Sequence, residues 1–554
     1  MHVKKNLSAA VLLLVLVVGF AAGAFLPRDD DFFALRKNFQ IFSAVYEELV
    51  GHYVDPVDPE RLLRSGIDAM LDNLDPYTTF IDEADNADID ILTRGRYGGV
   101  GLNIGVRGGK VTVISPIEGA SGYKQGVRAG DVVTQIAGQT TDSMTLTQVR
   151  SLLRGDPGTA VEIQVLREGM PDPLEFLLTR EEVKLNNVTY SGFVHDDTSS
   201  GLAFIKLERF ARDADAEVRL ALQKMKAAAP IRGVVLDLRD NPGGLLEAAV
   251  RVIELFVPQG SMIVSTRGRE ASSERIYHSQ AAPLLPDVPM VVLVNEFSAS
   301  ASEIVAGAIQ DLDRGVIVGR TTFGKGLVQI IKPLPYNTSL KITTARYFTP
   351  SGRSIEAIDY GEHTGNFAQI PDSLRKAFAT TLGRQVMDGR GIEPDVDVSQ
   401  GDPSELEEAL DRRAAFFFFA NHFASERDLI PEEFEVSESD LVAFEDWLGE
   451  QDFFYLTDAE RRLDDLAESL VSTEYDQSLD QLELLRSTIA DEKDADFERH
   501  RARLKERLRF EILARFHGER AQIRASLAHD PQFAVAEQLV RDRSSYTDVL
   551  AGRP

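Results

Sequence analysis

Met290-Val291-Val292-Leu293-Val294-Asn295-Glu296-Phe297-Ser298-Ala299-Ser300-Ala301-Ser302-Glu303 is an apolar run that breaks into small residues and serines. An unbroken apolar run of this length predicts a strand buried on both faces, as in a parallel sheet. The serines then lie on the connection into a helix predicted over 302–312. Upstream, 233–238 is a second buried strand, and it ends in Arg239-Asp240-Asn241-Pro242-Gly243-Gly244. Outward from these two, strands are predicted at 200–207, 316–318 and 340–346, and helices at 214–228 and 245–256. Strands alternating with helices imply right-handed crossovers and a mostly parallel sheet, so 183–400 is expected to be an α/β domain.

The preceding segment, 92–182, has a different texture. Short β-type runs recur at 100–106, 110–114, 131–136, 160–167 and 174–179, with a short helix at 146–153. Gly98-Gly99-Val100-Gly101-Leu102-Asn103-Ile104 opens the first run. Backbone N–H groups in such a glycine loop can capture a C-terminal carboxylate, and the adjoining strand edge can pair with an extended peptide. The order of elements resembles a PDZ domain of the kind found in bacterial proteases. Segment 28–91 reads as a small helical domain, with apolar residues at helical spacing from Phe33 to Leu49 and a second helix predicted over 59–74. After Asp402 the chain turns acidic and helical. Segment 401–554 is expected to pack on the core or on a partner subunit, or to serve as a substrate-handling or dimer arm.

Bulk properties exclude several functions. The chain has 554 residues and no cysteine, which removes disulfides, thiol catalysis and cysteine metal sites. A net charge of −28 argues against binding a nucleic-acid backbone and suits a soluble or salt-adapted surface. Lys4 and Lys5 precede an apolar run at 9–26, which Arg28, Asp29, Asp30 and Asp31 terminate. The run is long enough to span a bilayer, its basic flank should stay in the cytoplasm, and Ala22-Gly23-Ala24 offers a cleavage site. Residues 1–27 are therefore expected to be a signal peptide or a membrane anchor, which places the rest in the periplasm or otherwise outside the cytoplasmic membrane.

Ser300 and Lys325 form the candidate catalytic pair. A serine hydroxyl needs a base to become a nucleophile. Of the nine histidines none sits in a catalytic-looking motif, and His278 and His363 read as surface residues. A lysine can serve if it is neutral. Lowering its pKa from about 10.4 to about 7–8 takes roughly 3–5 kcal/mol, which burial can supply. Lys325 lies in Thr321-Thr322-Phe323-Gly324-Lys325-Gly326-Leu327-Val328-Gln329, among apolar neighbours. If the chain is extended there, Gln329 shares a face with Lys325 and can orient its amine. Ser300 would sit close to a helix N-terminus, where partial positive charge favours a developing anion. The N–H groups of Gly243 or Gly244, together with that of Ala301, could hold an oxyanion. On composition alone Ser298, Ser300 and Ser302 also read as caps and packing residues, and Lys325 as a surface charge.

A wider set of motifs resembles the carboxyl-terminal processing peptidase family, also called tail-specific proteases. They are Leu74-Asp75-Pro76-Tyr77-Thr78-Thr79-Phe80, the 98–104 loop, 237–244, 298–304 with Ala306-Gly307-Ala308, 319–329, Tyr347-Phe348-Thr349-Pro350-Ser351-Gly352-Arg353 and Gly391-Ile392-Glu393-Pro394-Asp395. The resemblance covers about residues 31–400. It implies a serine–lysine dyad with an assisting glutamine, on a crotonase-like α/β core with an inserted PDZ domain that binds substrate C-termini and gates the site. The family's serine lies 25 residues before its lysine, which selects Ser300 and leaves Lys325 and Gln329 as base and orienting residue. Tyr77 stands where many members carry histidine and is read as structural. No motif maps the acidic tail.

The expectation is an exported serine endopeptidase that trims proteins near their C-termini with no metal and no cofactor. Its partners are proteins and peptides with free C-termini, with a homodimer and a regulatory adaptor left open. A PDZ-bearing adaptor that only binds peptides would not need the intact serine, lysine and glutamine. A trypsin-like PDZ protease would need a serine within 240–244. An acyl-CoA enzyme of crotonase type would need neither the PDZ segment nor the export signal.

Overall fold

The computed structural model describes residues 29–554 apart from 84–90, 92, 94, 361–366, 400, 428, 473–475 and 554. The apolar run at 9–26 and His363 therefore lie outside the described residues. No helix among the described residues is long and apolar enough to cross a membrane. The chain divides into two units, one of residues 1–80 with 362–365 and one holding the remainder.

The first unit contains α1 (Asp29–His52) and α2 (Pro59–Leu71). Asp58 caps α2 by accepting from Glu60 N and Arg61 N, with Pro59 at the first helical position. The helix ends at Leu71, short of the predicted 74. The Asp75 carboxylate then takes Tyr77 N and Thr78 N, each at 2.8 Å, so the segment around Tyr77 is a side-chain-stabilised turn.

In the second unit a ribbon of β1 (Arg96–Gly99) opens the β-rich module. The module continues with β2 (Leu102–Arg107), β3 (Lys110–Pro116), β4 (Val132–Ile136), α3 (Leu146–Leu153), β5 (Ala160–Leu166) and β6 (Leu174–Thr179), and β7 (Glu181–Lys184) closes it. Strands β2-β3-β4-β5-β6 make one antiparallel sheet. Burial alternates along β5, as expected for a strand with one face on a core. Antiparallel pairing of β1 with β7 brings the two ends of the module together, so it is an insertion carried on a two-stranded ribbon.

The α/β domain follows. Its elements are β8 (Val188–Phe193), β9 (Leu202–Leu207), α4 (Ala214–Ala228), β10 (Gly233–Asp237), α5 (Leu246–Ile253), β11 (Met262–Gly268), β12 (Arg275–His278), β13 (Met290–Val294), α6 (Ala301–Asp311), β14 (Val316–Gly319), β15 (Leu327–Pro333), β16 (Ser339–Phe348) and β17 (Val396–Asp397). The central sheet runs β8-β9-β10-β13-β14-β17, parallel except for the edge strand β8. Every residue of β10 and β13 is buried. In a second sheet β12, β11, β16 and β15 pair antiparallel in that order, so the domain is less uniformly parallel than its alternating pattern implied. Of its strands only β16 was predicted, at 340–346; most of β15 and β12 is exposed or half-exposed and carries no continuous apolar run.

The tail contains α7 (Glu405–Arg412), α8 (Ala415–Ser425), α9 (Glu438–Glu450), α10 (Asp458–Ser472), α11 (Asp476–Asp494), α12 (Arg501–Leu527), α13 (Pro531–Arg541) and α14 (Arg543–Leu550). Its first part has its own aromatic core around Phe416, Phe419, Phe444 and Leu508. Its last part does not stand apart. Along β10 and β13, Val234, Leu236, Val292 and Val294 pack on one side with α4, α5 and α6. Val235, Val291 and Leu293 pack on the other with Phe533, Leu539, Val540 and Tyr546. The period of two thus sends alternate residues of each strand to two different covers, and the C-terminal helices are one of them. Gly233 marks how closely α13 approaches, since a Cβ there would lie 1.9 Å from Val540 Cγ1. Phe418, Asn421 and Ser425 of α8 lie against Gly108, Gly130 and Gly169 of the β-rich module.

Candidate active site

The turns leaving β10 and β13 lie side by side. Parallel strands register Leu236 with Val292 and Asp237 with Leu293, so both turns emerge at the carboxyl edge of the sheet, where α/β domains place their ligands. The three candidate serines separate here. Ser298 and Ser302 are fully buried. Ser298 Oγ donates to Leu238 O and Ser302 Oγ donates to Asn241 O, both at 2.8 Å, so these hydroxyls fasten the β13 turn to the β10 turn. Ser300, between them, is half-buried and directly precedes α6.

Its backbone is held at φ 56°, ψ −110°, a conformation that costs a non-glycine residue about 1–3 kcal/mol. Such strain persists only where surrounding bonds over-determine it. Ser300 N donates to Glu303 Oε2 at 2.7 Å, and Ser300 O accepts from Tyr347 Oη at 3.1 Å and from Ile304 N at 3.0 Å.

The lysine turn hangs from the same groups. Glu303 Oε1 accepts from Gly324 N at 2.7 Å and Thr322 Oγ1 at 2.6 Å, and Glu303 Oε2 accepts from Lys325 N at 2.9 Å. Tyr347 Oη also reaches Lys325 O, and Gly326 N donates to Glu356 Oε2 at 2.8 Å. One buried carboxylate and one buried phenol therefore bracket the backbones of Ser300 and Lys325, and Lys325 itself is half-buried. Burial pushes the Glu303 carboxyl up to about 7, against four donated hydrogen bonds that favour its charged form. Burial likewise raises Glu356.

Gly243 and Gly244 are not equivalent. A Cβ on Gly243 would lie 2.6 Å from Ala299 O, 2.8 Å from Ala301 N and 2.9 Å from Ser300 Cβ, whereas one on Gly244 would meet the Phe210 backbone. Gly243 is thus the residue pressed against the serine turn, at φ 100°. Its N–H donates to Asn241 Oδ1 at 2.9 Å, an acceptor that an oxyanion would have to share or displace. Ala301 N is the first N–H of α6, where helix geometry provides no internal acceptor.

Gln329 lies on β15 opposite Thr343 of β16 and donates to Thr343 Oγ1 at 3.2 Å. β15 begins at Leu327, so Lys325 lies in the turn before the strand, and the register irregularity opposite Val328 and Gln329 places its extra residue, Thr344, on β16.

In the β-rich module, Val100, Gly101, Leu102, Asn103 and Ile104 line one groove with Tyr97, Arg150, Leu153 and Arg154. Gly98 and Gly99 belong instead to the ribbon. Gly98 O accepts from Gly155 N and Gly99 bridges to Arg154. Arg150 of α3 and Arg154 just past its end were not read from sequence, because nothing local links them to the glycine loop. Glu303 was also missed as a site residue, although Ser-x-x-Glu at 300–303 is a helix-start pattern that pointed to it. Tyr347 carries no local signal. Among the described residues no group of acidic or histidine side chains could hold a metal ion.

The chain matches known proteins along most of its length. Residues 201–362 match peptidase family S41, 112–167 match a PDZ domain, and 406–540 match the C-terminal helical domain of probable PDZ-proteases. A carboxy-terminal-processing protease of Bartonella bacilliformis is 34% identical over 386 residues, covering 67% of this chain and 87% of that protein. A carboxyl-terminal-processing protease of Synechocystis is 35% identical over 299 residues, covering 53% of this chain and 68% of that protein. A solved structure titled photosystem II D1 C-terminal processing protease is 29% identical, covers 67% of this chain and 89% of its own, and has a TM-score of 0.36. The chain belongs to the carboxy-terminal-processing proteases of peptidase family S41, serine proteases that here carry a PDZ domain and a C-terminal helical domain.

Proposed function

We propose that the chain cleaves proteins near their C-termini through a dyad of Ser300 and Lys325. Lys325, acting in its neutral form, takes the proton from Ser300 Oγ as that oxygen attacks the scissile carbonyl carbon. The N–H groups of Ala301 and of Gly243 or Gly244 hold the oxyanion, Gly243 being the glycine packed on the serine turn. Lys325 then protonates the leaving amine. Water, deprotonated by the same lysine, attacks the acyl-enzyme and releases Ser300. Gln329 orients the lysine after exchanging its bond to Thr343.

One observation carries this reading. Ser298 and Ser302 spend their hydroxyls on buried carbonyls, while the serine between them is strained and is tied through Glu303 to the turn that bears Lys325. The groove of the PDZ module, with its two arginines, supports recognition of a substrate's C-terminal carboxylate; gating of the site by this module is part of the proposal. The crotonase-like assignment of the core is part of the proposal and is supported by helices packed on a mainly parallel sheet. So is export, with residues 9–26 either cleaved as a signal peptide or kept as a membrane anchor, which rests on the sequence; a homodimer and a regulatory adaptor stay open.

The test is proteolysis of fluorescein-labelled casein. Ser300→Ala and Lys325→Ala should each lose cleavage by about 10⁴-fold or more while melting like the wild type. Wild-type cleavage by either folded variant sinks the dyad. A serine-directed phosphonate should label wild type and not Ser300→Ala. No labelling of the wild type would favour a peptide-binding adaptor.

A further inference from the structure

The oxyanion loop begins at Arg239, and the other end of that arginine is held by the tail. Arg239 is buried. Its Nε and Nη2 donate to Asp237 Oδ1 and Oδ2 at 2.9 and 2.7 Å, in a bidentate pair across the end of β10. Its Nη1 points the opposite way. It lies 2.5 Å from Asp530 Oδ2 and 3.1 Å from Gln532 Oε1, both at the start of α13 and nearly 300 residues away in sequence. Gln532 Nε2 in turn donates to Val398 O at 2.8 Å, which anchors the contact to the sheet's far edge.

From Arg239 a continuous set of bonds leads to the serine. Asp240, at φ 62°, exchanges hydrogen bonds with the Asn295 side chain through its N and its Oδ1. Asn241 O accepts from Ala299 N at 3.0 Å and from Ser302 Oγ at 2.8 Å, on either side of Ser300. Asn241 Oδ1 holds Gly243 N.

We propose that Asp530 and Gln532 are positioning residues for catalysis, and that the C-terminal helix α13 sets the register of the oxyanion loop through Arg239. The proposal rests on the dyad reading, since it concerns what holds the groups around Ser300. The two oxygens of Asp530 separate a structural role from a positioning one. Oδ1 caps α13 by accepting from Gln532 N at 2.9 Å and Phe533 N at 3.0 Å, while Oδ2 alone meets Arg239. Asparagine caps a helix about as well as aspartate. Asp530→Asn therefore keeps the cap and removes the charge from Arg239, whose pairing with Asp237 leaves no lone buried charge.

The experiment uses the full chain. Active sites are titrated with the phosphonate, then kcat and KM for labelled casein are measured per active site beside the melting temperature. Asp530→Asn and Gln532→Ala should lower kcat by about ten-fold, because small displacements of reacting groups cost one to two orders of magnitude in rate. For Asp530→Asn, KM and melting temperature should stay near wild type, while Gln532→Ala, which empties a buried site, should also melt lower; in both the phosphonate labelling rate should fall in step with kcat. A kcat per active site within two-fold of wild type in the double variant overturns the proposal. So does a loss that follows melting temperature alone, as in Asp530→Ala if only the cap matters. Failure of the dyad itself would appear separately, as retained cleavage by Ser300→Ala.

Discussion

At the exits of β10 and β13 the strands are buried on both faces, and the turns bond to side chains from distant parts of the chain. The PDZ groove is lined by β2, where much of the strand is exposed, and by α3, whose Arg150 stands in solvent. The module meets the core through one two-stranded ribbon and also touches α8 of the tail. Two kinds of site follow from these two kinds of scaffold. Strain at Ser300 can be stored only on the rigid one, since it needs Glu303, Tyr347 and Asn241 to oppose relaxation. A groove that receives a flexible peptide end needs an open edge and a charge, not a strained atom.

The comparison breaks first at Glu303. A buried carboxyl raised from its ordinary value to about 7 binds its proton more tightly when folded than when unfolded. Its contribution to stability is therefore present in full below the ordinary carboxylate pKa and is lost as pH rises through about 7. The loss should be about 3 kcal/mol. Urea unfolding of wild type and Glu303→Gln across this window should show their stability difference changing by that amount. A pH-independent difference would mean that Glu303 is ionised throughout and that its four donors outweigh burial.

Gly243→Ala should come next. The new methyl would meet Ala299 O at 2.6 Å and impose φ 100° on an alanine. Displacing an oxyanion donor should cost about 10²-fold in kcat for casein. Unchanged kcat would show that Gly243 takes no part.

Gly233→Ala probes the scaffold without touching the turns. Its methyl would overlap Val540, so the protein should lose about 1–3 kcal/mol in urea unfolding. Adding Val540→Ala should restore part of that. No loss would mean that α13 docks loosely on the sheet, which would also weaken the case for Asp530.

The smallest effect belongs to the PDZ groove. Arg150→Ala should raise the Kd for a peptide with a free C-terminal carboxylate about two- to five-fold, the size of an exposed ion pair, by fluorescence anisotropy. The effect should vanish for the same peptide amidated. An equal effect on both peptides would mean that Arg150 does not read the carboxylate.

Much of this architecture was legible along the chain. The strand at 290–294 is found as predicted, and those at 200–207 and 233–238 end within two residues of it, because a two-sided buried strand needs an uninterrupted apolar run. The helix predicted at 302–312 is α6, shifted by one residue. The PDZ strands followed from alternation and glycine turns. What escaped were β8, β12 and β15, whose mixed exposure leaves no such run, and β11, which is largely buried but turns polar at Ser265, Thr266 and Arg267. The bond from Gln329 to Thr343 across a bulge at Thr344 was not legible either, since no residue type announces that register. The acidic tail looked like one extension, yet its last helices are part of the catalytic domain's core.

By itself the sequence determined the family, the alternation of strands and helices, the position of the serine and lysine turns, and the presence of a PDZ module, since each is written in local pattern and spacing. Tertiary structure alone decided which two serine hydroxyls are spent on buried carbonyls of the neighbouring turn, which glycine presses on the serine between them, and which carboxylate joins its turn to the lysine's. It also decided that the C-terminal helices close the sheet and grip Arg239. Apart from the local bond between Ser300 and Glu303, these are contacts between segments tens to hundreds of residues apart, and a bond of that kind leaves no periodicity in either partner.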